Sequence, residues 1–143
     1  MSENLDSNEA STSLRVMVVD DEDRLLTAIS RLLQRMGHAT LSFSDPKDAL
    51  RYFESDPSRI DIVITDHRMP SMLGIELAAR VNAIRPELPV VICSGFAMDL
   101  DPSAVATAGV VGVLDKPFTT VELNQAIVEA TQETEMFEAD PFD

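Results

Sequence analysis

The sequence predicts an α/β domain built on a doubly wound, five-stranded parallel sheet. Three observations carry this. Short β-branched runs alternate with helix-period segments about five times along the chain, the pattern that covers a parallel sheet with helices on both faces. The run at residues 60–64 is apolar at Ile60, Ile62, Val63 and Ile64, as a strand buried on both sides requires. The runs then stop abruptly at polar or charged residues: Asp20 after the first, Asp66 after the third, Ser94 after the fourth and Asp115 after the last. In open α/β sheets, ligands bind beyond the carboxyl ends of the strands, so these residues stand where chemistry is expected.

Taken in order, RVMVV at residues 15–19 reads as the first strand and ends in Asp20, Asp21, Glu22 and Asp23. Leu25, Leu26, Ile29, Leu32, Leu33 and Met36 then recur at helical spacing, opposite Arg24, Arg31 and Arg35, and Gly37 supplies a stop. Residues 39–43 form a weaker strand. Asp45 as N-cap with Pro46 in the first turn opens a helix that buries Ala49, Leu50 and Phe53 and ends at Asp56, Pro57 and Ser58. The central strand over residues 60–64 leads to Asp66, and Pro70, which has no N–H to donate, takes the backbone out of the sheet.

The loop PSMLG precedes a helix over residues 74–84, with Leu77, Ala78, Val81 and Ile84 facing inward and Arg85 and Pro86 closing it. Residues 89–93 (PVVIC) form the fourth strand. Residues 96–108 contain mainly small or β-branched residues behind an Asp101–Pro102 start signal, so a short helix of low intrinsic stability is expected there. Residues 109–114 form the fifth strand. After Asp115, Lys116, Pro117 and Phe118, Thr119 and Glu122 have capping-box spacing and Phe118 and Leu123 staple spacing, at the head of a helix that carries Leu123, Ala126, Ile127 and Ala130 on one face.

At 143 residues with 45% apolar content, the chain has the size and composition of one cored domain. We place a polar tail at residues 1–13, the domain at 14–132 and an acidic tail at 133–143. The net charge of −14 argues against binding nucleic-acid phosphates or anionic membranes through bulk attraction. More than half of that charge lies in the tails: Glu3, Asp6 and Glu9, then Glu133, Glu135, Glu138, Asp140 and Asp143, none with a cation nearby in sequence. That pattern reads as solvated surface. No apolar run approaches the ~18 residues needed to span a bilayer, and no basic-then-apolar leader is visible at the N-terminus. Cytoplasmic placement is therefore the expectation. Cys93, the one cysteine, sits within an apolar run and reads as a buried, reduced thiol. His38 and His67 have no ligand partner at a recognisable spacing and read as solvated side chains.

The expected fold gathers Asp20, Asp21, Asp66, Ser94 and Lys116 at one sheet edge. Two carboxylates ~4 Å apart repel by about 4 kcal/mol at an effective dielectric of 20, so such a cluster needs compensation. Lys116 supplies one positive charge, and a hard cation such as Mg²⁺, which accepts one or two carboxylates and keeps positions for water and phosphoryl oxygens, is the natural complement to the rest. In such a site Lys116 and the Ser94 hydroxyl could each take a phosphoryl oxygen while a carboxylate acts as nucleophile. Asp66 suits that role because it stands alone at the central strand's end, whereas the adjacent Asp20 and Asp21 suit metal binding.

VVDDE (18–22), TDHRMPSMLG (65–74), CSGF (93–96) and LDKPF (114–118) resemble, in order and separation, the four signature segments of the receiver domain of bacterial two-component response regulators. The resemblance covers about residues 14–132. It implies the flavodoxin-like strand order 2-1-3-4-5 and a phosphoryl group taken onto Asp66 from a histidine kinase or histidine phosphotransfer protein. It further implies Asp21 as a metal ligand, Asp20 as acidic support or water-mediated ligand, and a metal contact from the Arg68 carbonyl. Ser94 is implied as switch hydroxyl and Lys116 as phosphoryl-binding cation, with a cis bond between Lys116 and Pro117. The chain departs from the pattern twice: Val113 stands where such domains commonly carry an aromatic, and Leu73 where an acid is common. Without that aromatic ring, the switch is expected to run through Ser94 and residues 95–108.

Two other functions weigh against this one. A phosphatase using an aspartyl phosphate would want a second acid two residues after the nucleophile, and Arg68 occupies that position. An interaction domain that no longer takes phosphate should lack Asp66, Asp21 or Lys116, and all three are present. The expected protein is thus a phospho-accepting signalling module rather than an enzyme. With Met1 at its start and an acidic tail, it reads as a stand-alone regulator more than as the terminal receiver of a hybrid kinase, with a downstream protein partner that the sequence does not specify.

Overall fold

In a computed structural model, residues 13–95 and 100–139 are described. The polar segment 1–12, residues 140–143 and residues 96–99, part of the segment expected to carry the switch, lie outside them. Five parallel strands form one sheet in the order β2-β1-β3-β4-β5: β1 Arg15–Val19, β2 Ala39–Phe43, β3 Ile62–Asp66, β4 Val90–Ser94 and β5 Val110–Asp115. Between them run α1 Asp23–Arg35, α2 Pro46–Ser55, α3 Gly74–Ile84 and α4 Pro102–Thr107, and α5 Thr120–Ala139 follows β5. The alternation and strand order are those expected from the sequence.

The sheet divides the core into two layers, because successive side chains on a strand point to opposite faces. Val16, Val18, Ile62, Ile64 and Val91 pack with Ile29 and Leu33 of α1 and Leu123 and Ile127 of α5. Met17, Val19, Val63, Val90 and Ile92 pack with Leu50 and Phe53 of α2 and with Leu77, Ala78 and Val81 of α3. The central strands β1 and β3 are thereby sealed on both faces, and their C-terminal ends are fixed by ladder register: Val19 lies beside Thr65, and Asp66 beside Cys93.

Local signals act as expected at several ends. The Asp45 carboxylate accepts the Lys47 N–H at 2.9 Å to cap α2. The Thr119–Glu122 capping box closes in both directions, at 2.8 and 3.0 Å. The last three strands are displaced from the apolar runs: β3 begins at Ile62 rather than Ile60, β4 runs Val90–Ser94, and β5 runs Val110–Asp115. Ile60 is still fully buried, after a 3₁₀ turn at Pro57–Arg59. Helix α5 continues past residue 132, where the sequence places the change from domain to tail.

Three side chains differ from expectation. Ile84, placed inside by its period, is 42% exposed at the last turn of α3. His38 is not a solvated side chain: it is half-buried, and its Nδ1 accepts the Leu14 N–H at 3.1 Å, tying the start of β1 to the α1–β2 turn. His67 is also half-buried, with Nδ1 enclosed and unpartnered. Burial holds both imidazoles below their usual pKa. The Cys93 thiol is buried, as expected, and burial pushes its pKa up to about 12, so it stays protonated.

Candidate phospho-acceptor and metal site

The strand ends bring three carboxylates and one ammonium group together. Asp20 follows β1 directly and is held by its backbone, whose N–H donates to the Phe43 carbonyl at 3.1 Å. Its side chain is buried, and Oδ1 accepts the Glu22 N–H at 2.9 Å, which fixes the DDE turn. Asp21, one residue on, is exposed. Asp66 ends β3 with its side chain 13% exposed, open enough to meet a reactant and enclosed enough to be held. Oxygens of Asp20, Asp21 and Asp66 all lie within 4.8 Å of one another.

Lys116 joins this cluster from the loop after β5. Its backbone N–H donates to the Ser94 carbonyl at 2.9 Å, and its peptide bond to Pro117 is cis, as the resemblance implies. The side chain then reaches inward, with Nζ 2.9 Å from Asp66 Oδ1 and 3.3 Å from Asp20 Oδ2. Burial opposes a charged ammonium there, but the hydrogen bond to Asp66 and the Asp20 charge outweigh it and leave Lys116 raised and protonated. For Asp20 the balance is reversed. Burial raises its pKa more than the Glu22 N–H and Lys116 lower it, with Asp66 adding repulsion.

One ammonium against three carboxylates leaves an excess of negative charge. The donor set consists of hard oxygens from two adjacent strand ends, which suits a small divalent cation and offers no soft ligand for a thiophilic one. The sequence-derived residues Asp20, Asp21, Asp66 and Lys116 therefore do converge. Ser94 closes β4 beside Asp115, is buried, and lies one strand from Asp66. It is the final residue of the ladder rather than of a turn. Arg68 sits two residues beyond Asp66 with an exposed side chain.

The raised Asp20 pKa has a measurable consequence. A carboxyl group whose folded pKa exceeds its unfolded value binds more protons in the native state, so stability falls as pH rises through the interval above the usual 3.8. In metal-free buffer, Asp20→Asn is expected to have a higher urea midpoint than wild type at pH 7. That advantage should shrink to nothing in acid below the unfolded pKa. A wild-type midpoint equal to or above the variant's at pH 7 would contradict the charge balance described.

Sequence reading missed the way the loop after β3 is held. The Gly74 N–H donates to the His67 carbonyl at 2.7 Å, and a Cβ on Gly74 would lie 2.4 Å from the Asp66 carbonyl oxygen. The loop is also tied sideways, since Ser71 Oγ donates to Asp45 Oδ1 at 3.1 Å. Arg85, read only as a helix stop, donates from Nη1 to the carbonyls of Pro57 and Ile60 at 2.7 and 2.8 Å, bracing the approach to β3. A glycine opening a helix eight residues after a strand-end acid was the available signal for the first of these.

The family model for the response regulator receiver domain matches residues 16–128. The chain belongs to that family. A crystal structure of a response regulator receiver domain protein from Clostridium thermocellum is 29% identical, covers 87% of this chain and 98% of its own, and superposes with a TM-score of 0.79. A putative two-component response regulator from Arabidopsis thaliana, ARR21, is 32% identical over 119 residues, which is 82% of this chain and 19% of that one. The transcriptional regulatory protein GlrR of Escherichia coli strain K12 is 29% identical over 83% of this chain and 26% of its own length. The receiver thus spans a fifth to a quarter of these two relatives. No helix among the described residues is long and apolar enough to cross a membrane.

Proposed function

We propose that this receiver domain takes a phosphoryl group from a histidine kinase or histidine phosphotransfer protein, that Asp66 is its phospho-acceptor, that residues 14–132 form the functional unit, and that Mg²⁺ is the ion its acids hold. The observation that carries this is the Lys116 ammonium lying 2.9 Å from Asp66 and 3.3 Å from Asp20, inside a trio of carboxylates with converging oxygens.

An Asp66 carboxylate oxygen attacks phosphorus in line with the P–N bond of a phosphohistidine. The P–O bond forms, the P–N bond breaks, and the imidazole nitrogen keeps the electron pair and is reprotonated. Lys116, charged throughout, meets one phosphoryl oxygen as negative charge gathers there, and the Ser94 hydroxyl donates to another. Asp20, Asp21, Asp66 and the Arg68 carbonyl would hold the metal. When bound, Mg²⁺ supplies positive charge to the phosphoryl oxygens and offsets the repulsion among the acids. Chemistry on the protein is confined to self-phosphorylation and hydrolysis of the resulting acyl phosphate, since Arg68 rather than an acid stands two residues past the nucleophile.

Incubation with a panel of phosphohistidine donors in Mg²⁺ should transfer one phosphoryl group, lost again on mild alkaline treatment as an acyl phosphate is. No transfer from any donor, nor from a small acyl phosphate, would overturn the proposal. Asp21→Asn, which removes one hard oxygen ligand, is expected to weaken Mg²⁺ binding about tenfold or more while leaving the fold intact. Superimposable Mg²⁺ titrations of wild type and variant would exclude Asp21 from the ligand set.

A further inference from the structure

Thr65 puts a hydroxyl where the sheet otherwise carries apolar side chains. It is the penultimate residue of β3 and fully buried. Its ladder partners on either side, Val19 of β1 and Ile92 of β4, are buried apolar residues. A hydroxyl sealed from water must find an acceptor inside the protein, because leaving it unpaired forfeits its hydration without return. Thr65 Oγ1 donates to the Asp66 carbonyl oxygen at 2.9 Å, and the Met69 Sδ, a weak acceptor, lies 4.0 Å away.

That carbonyl belongs to the peptide group joining Asp66 to His67. The same group is held at its other end, where the His67 N–H donates to the Cys93 carbonyl at 3.2 Å. The next peptide group is held as well, since the His67 carbonyl accepts the Gly74 N–H at 2.7 Å. The direction of a Cα–Cβ bond is set by the two peptide planes that flank it. For Asp66, the plane towards Thr65 lies in the sheet, whereas the plane towards His67 is where the chain leaves it.

We propose that Thr65 is a positioning residue for phosphoryl transfer: its hydroxyl fixes the Asp66–His67 peptide plane, and through it the direction of the Asp66 carboxylate and the path of the loop to Arg68. The proposal rests on the phospho-acceptor role assigned to Asp66 above. If the plane rocks, the Asp66 oxygens move against Lys116 Nζ, 2.9 Å away, and against the oxygens of Asp20 and Asp21. In-line attack on phosphorus is sensitive to displacements well below 1 Å, so a hydrogen bond that touches no reactant still sets the rate. A β-branched apolar residue would fill the strand position equally well, and it is the hydroxyl that holds the carbonyl.

The test uses the full chain as wild type, Thr65→Val, Thr65→Ser and Thr65→Ala. Valine keeps the branched shape without the hydroxyl, serine keeps the hydroxyl without the methyl, and alanine has neither. At a fixed concentration of acetyl phosphate in Mg²⁺, phosphorylation should be about tenfold slower in Thr65→Val and Thr65→Ala, while Thr65→Ser stays near wild type despite its lower urea midpoint. Rates that follow the urea midpoint instead of the hydroxyl would reduce Thr65 to a packing residue and overturn the proposal. Should Thr65→Val fail to fold, the serine and alanine forms make the same comparison. Amide hydrogen exchange reads the peptide plane directly. Protection of the His67 N–H should fall in the two variants without a hydroxyl and persist in Thr65→Ser, while the Val63 N–H, bonded to the Pro89 carbonyl at 3.0 Å nearer the start of β3, keeps its protection. An unchanged His67 amide in Thr65→Val and Thr65→Ala overturns the proposal whatever the rates. No labelling of the wild type would overturn the acceptor role, and the positioning role with it, while exchange still reads the hydrogen bond on its own.

Discussion

Asp66→Asn is expected to fold normally and to take up no phosphoryl group from an acyl-phosphate donor in Mg²⁺. The amide matches the carboxylate in shape, so the end of β3 keeps its place beside Cys93. Lys116 keeps Asp20 at 3.3 Å as a charged partner, and removing one of three clustered acids relieves repulsion. Stability should therefore match or exceed that of wild type by urea midpoint. Reactivity behaves differently, because an amide oxygen is a far weaker nucleophile than a carboxylate. Deleting a nucleophile from an enzyme site costs on the order of 10⁶ in rate, and a much smaller loss would already place labelling beyond detection here. Intact mass spectrometry reads the result. A phosphoryl adduct persisting in the variant, or peptide mapping that puts the wild-type label on Asp20 or Asp21, would move the acceptor role to β1.

How far the sequence anticipates this site follows from what hydrophobicity measures. The runs report burial, and burial at β1 coincides with pairing, so Arg15–Val19 could be read directly. At β3, β4 and β5 the paired ladder continues onto Asp66, Ser94 and Asp115, while Ile60, Pro89 and Gly109, which lead into those strands, lie outside them. Polar residues at the end of a parallel sheet pair as well as apolar ones, and no hydropathy pattern marks that. The period of α3 likewise sets the direction of Ile84 without saying what lies opposite its turn. Contacts made across the fold were less legible still. His38 meets Leu14 and Ser71 meets Asp45 across 24 and 26 residues, partnerships with no local signature. Asp20, Asp66 and Ser94 were legible because each is the chemical break in an apolar run, and Lys116 because it directly follows the break at Asp115; parallel topology alone brings such breaks to one edge.

Gly74→Ala is expected to damage both stability and phosphorylation, although alanine at a helix start ordinarily helps. Within a helix, Gly to Ala typically gains about 0.5–1 kcal/mol by restricting the unfolded chain. At Gly74 that gain is overridden, because the new Cβ would stand 2.4 Å from the Asp66 carbonyl oxygen and 3.0 Å from His67 Cα. Both neighbours are backbone, so no side chain can rotate away, and either α3 retreats or the end of β3 shifts. Overpacking of this kind costs about 1–3 kcal/mol. If the strand end yields, Asp66 moves off its 2.9 Å contact with Lys116, and phosphorylation from a small acyl-phosphate donor slows along with the loss of stability. Gly112→Ala is the control: its Cβ would meet only the Val91 side chain, Cγ2 at 3.6 Å and Cγ1 at 3.9 Å, ordinary contacts, on a strand remote from the loop after β3. A urea midpoint for Gly74→Ala at or above wild type, with phosphorylation at the wild-type rate, would show that this close approach does not set the position of Asp66.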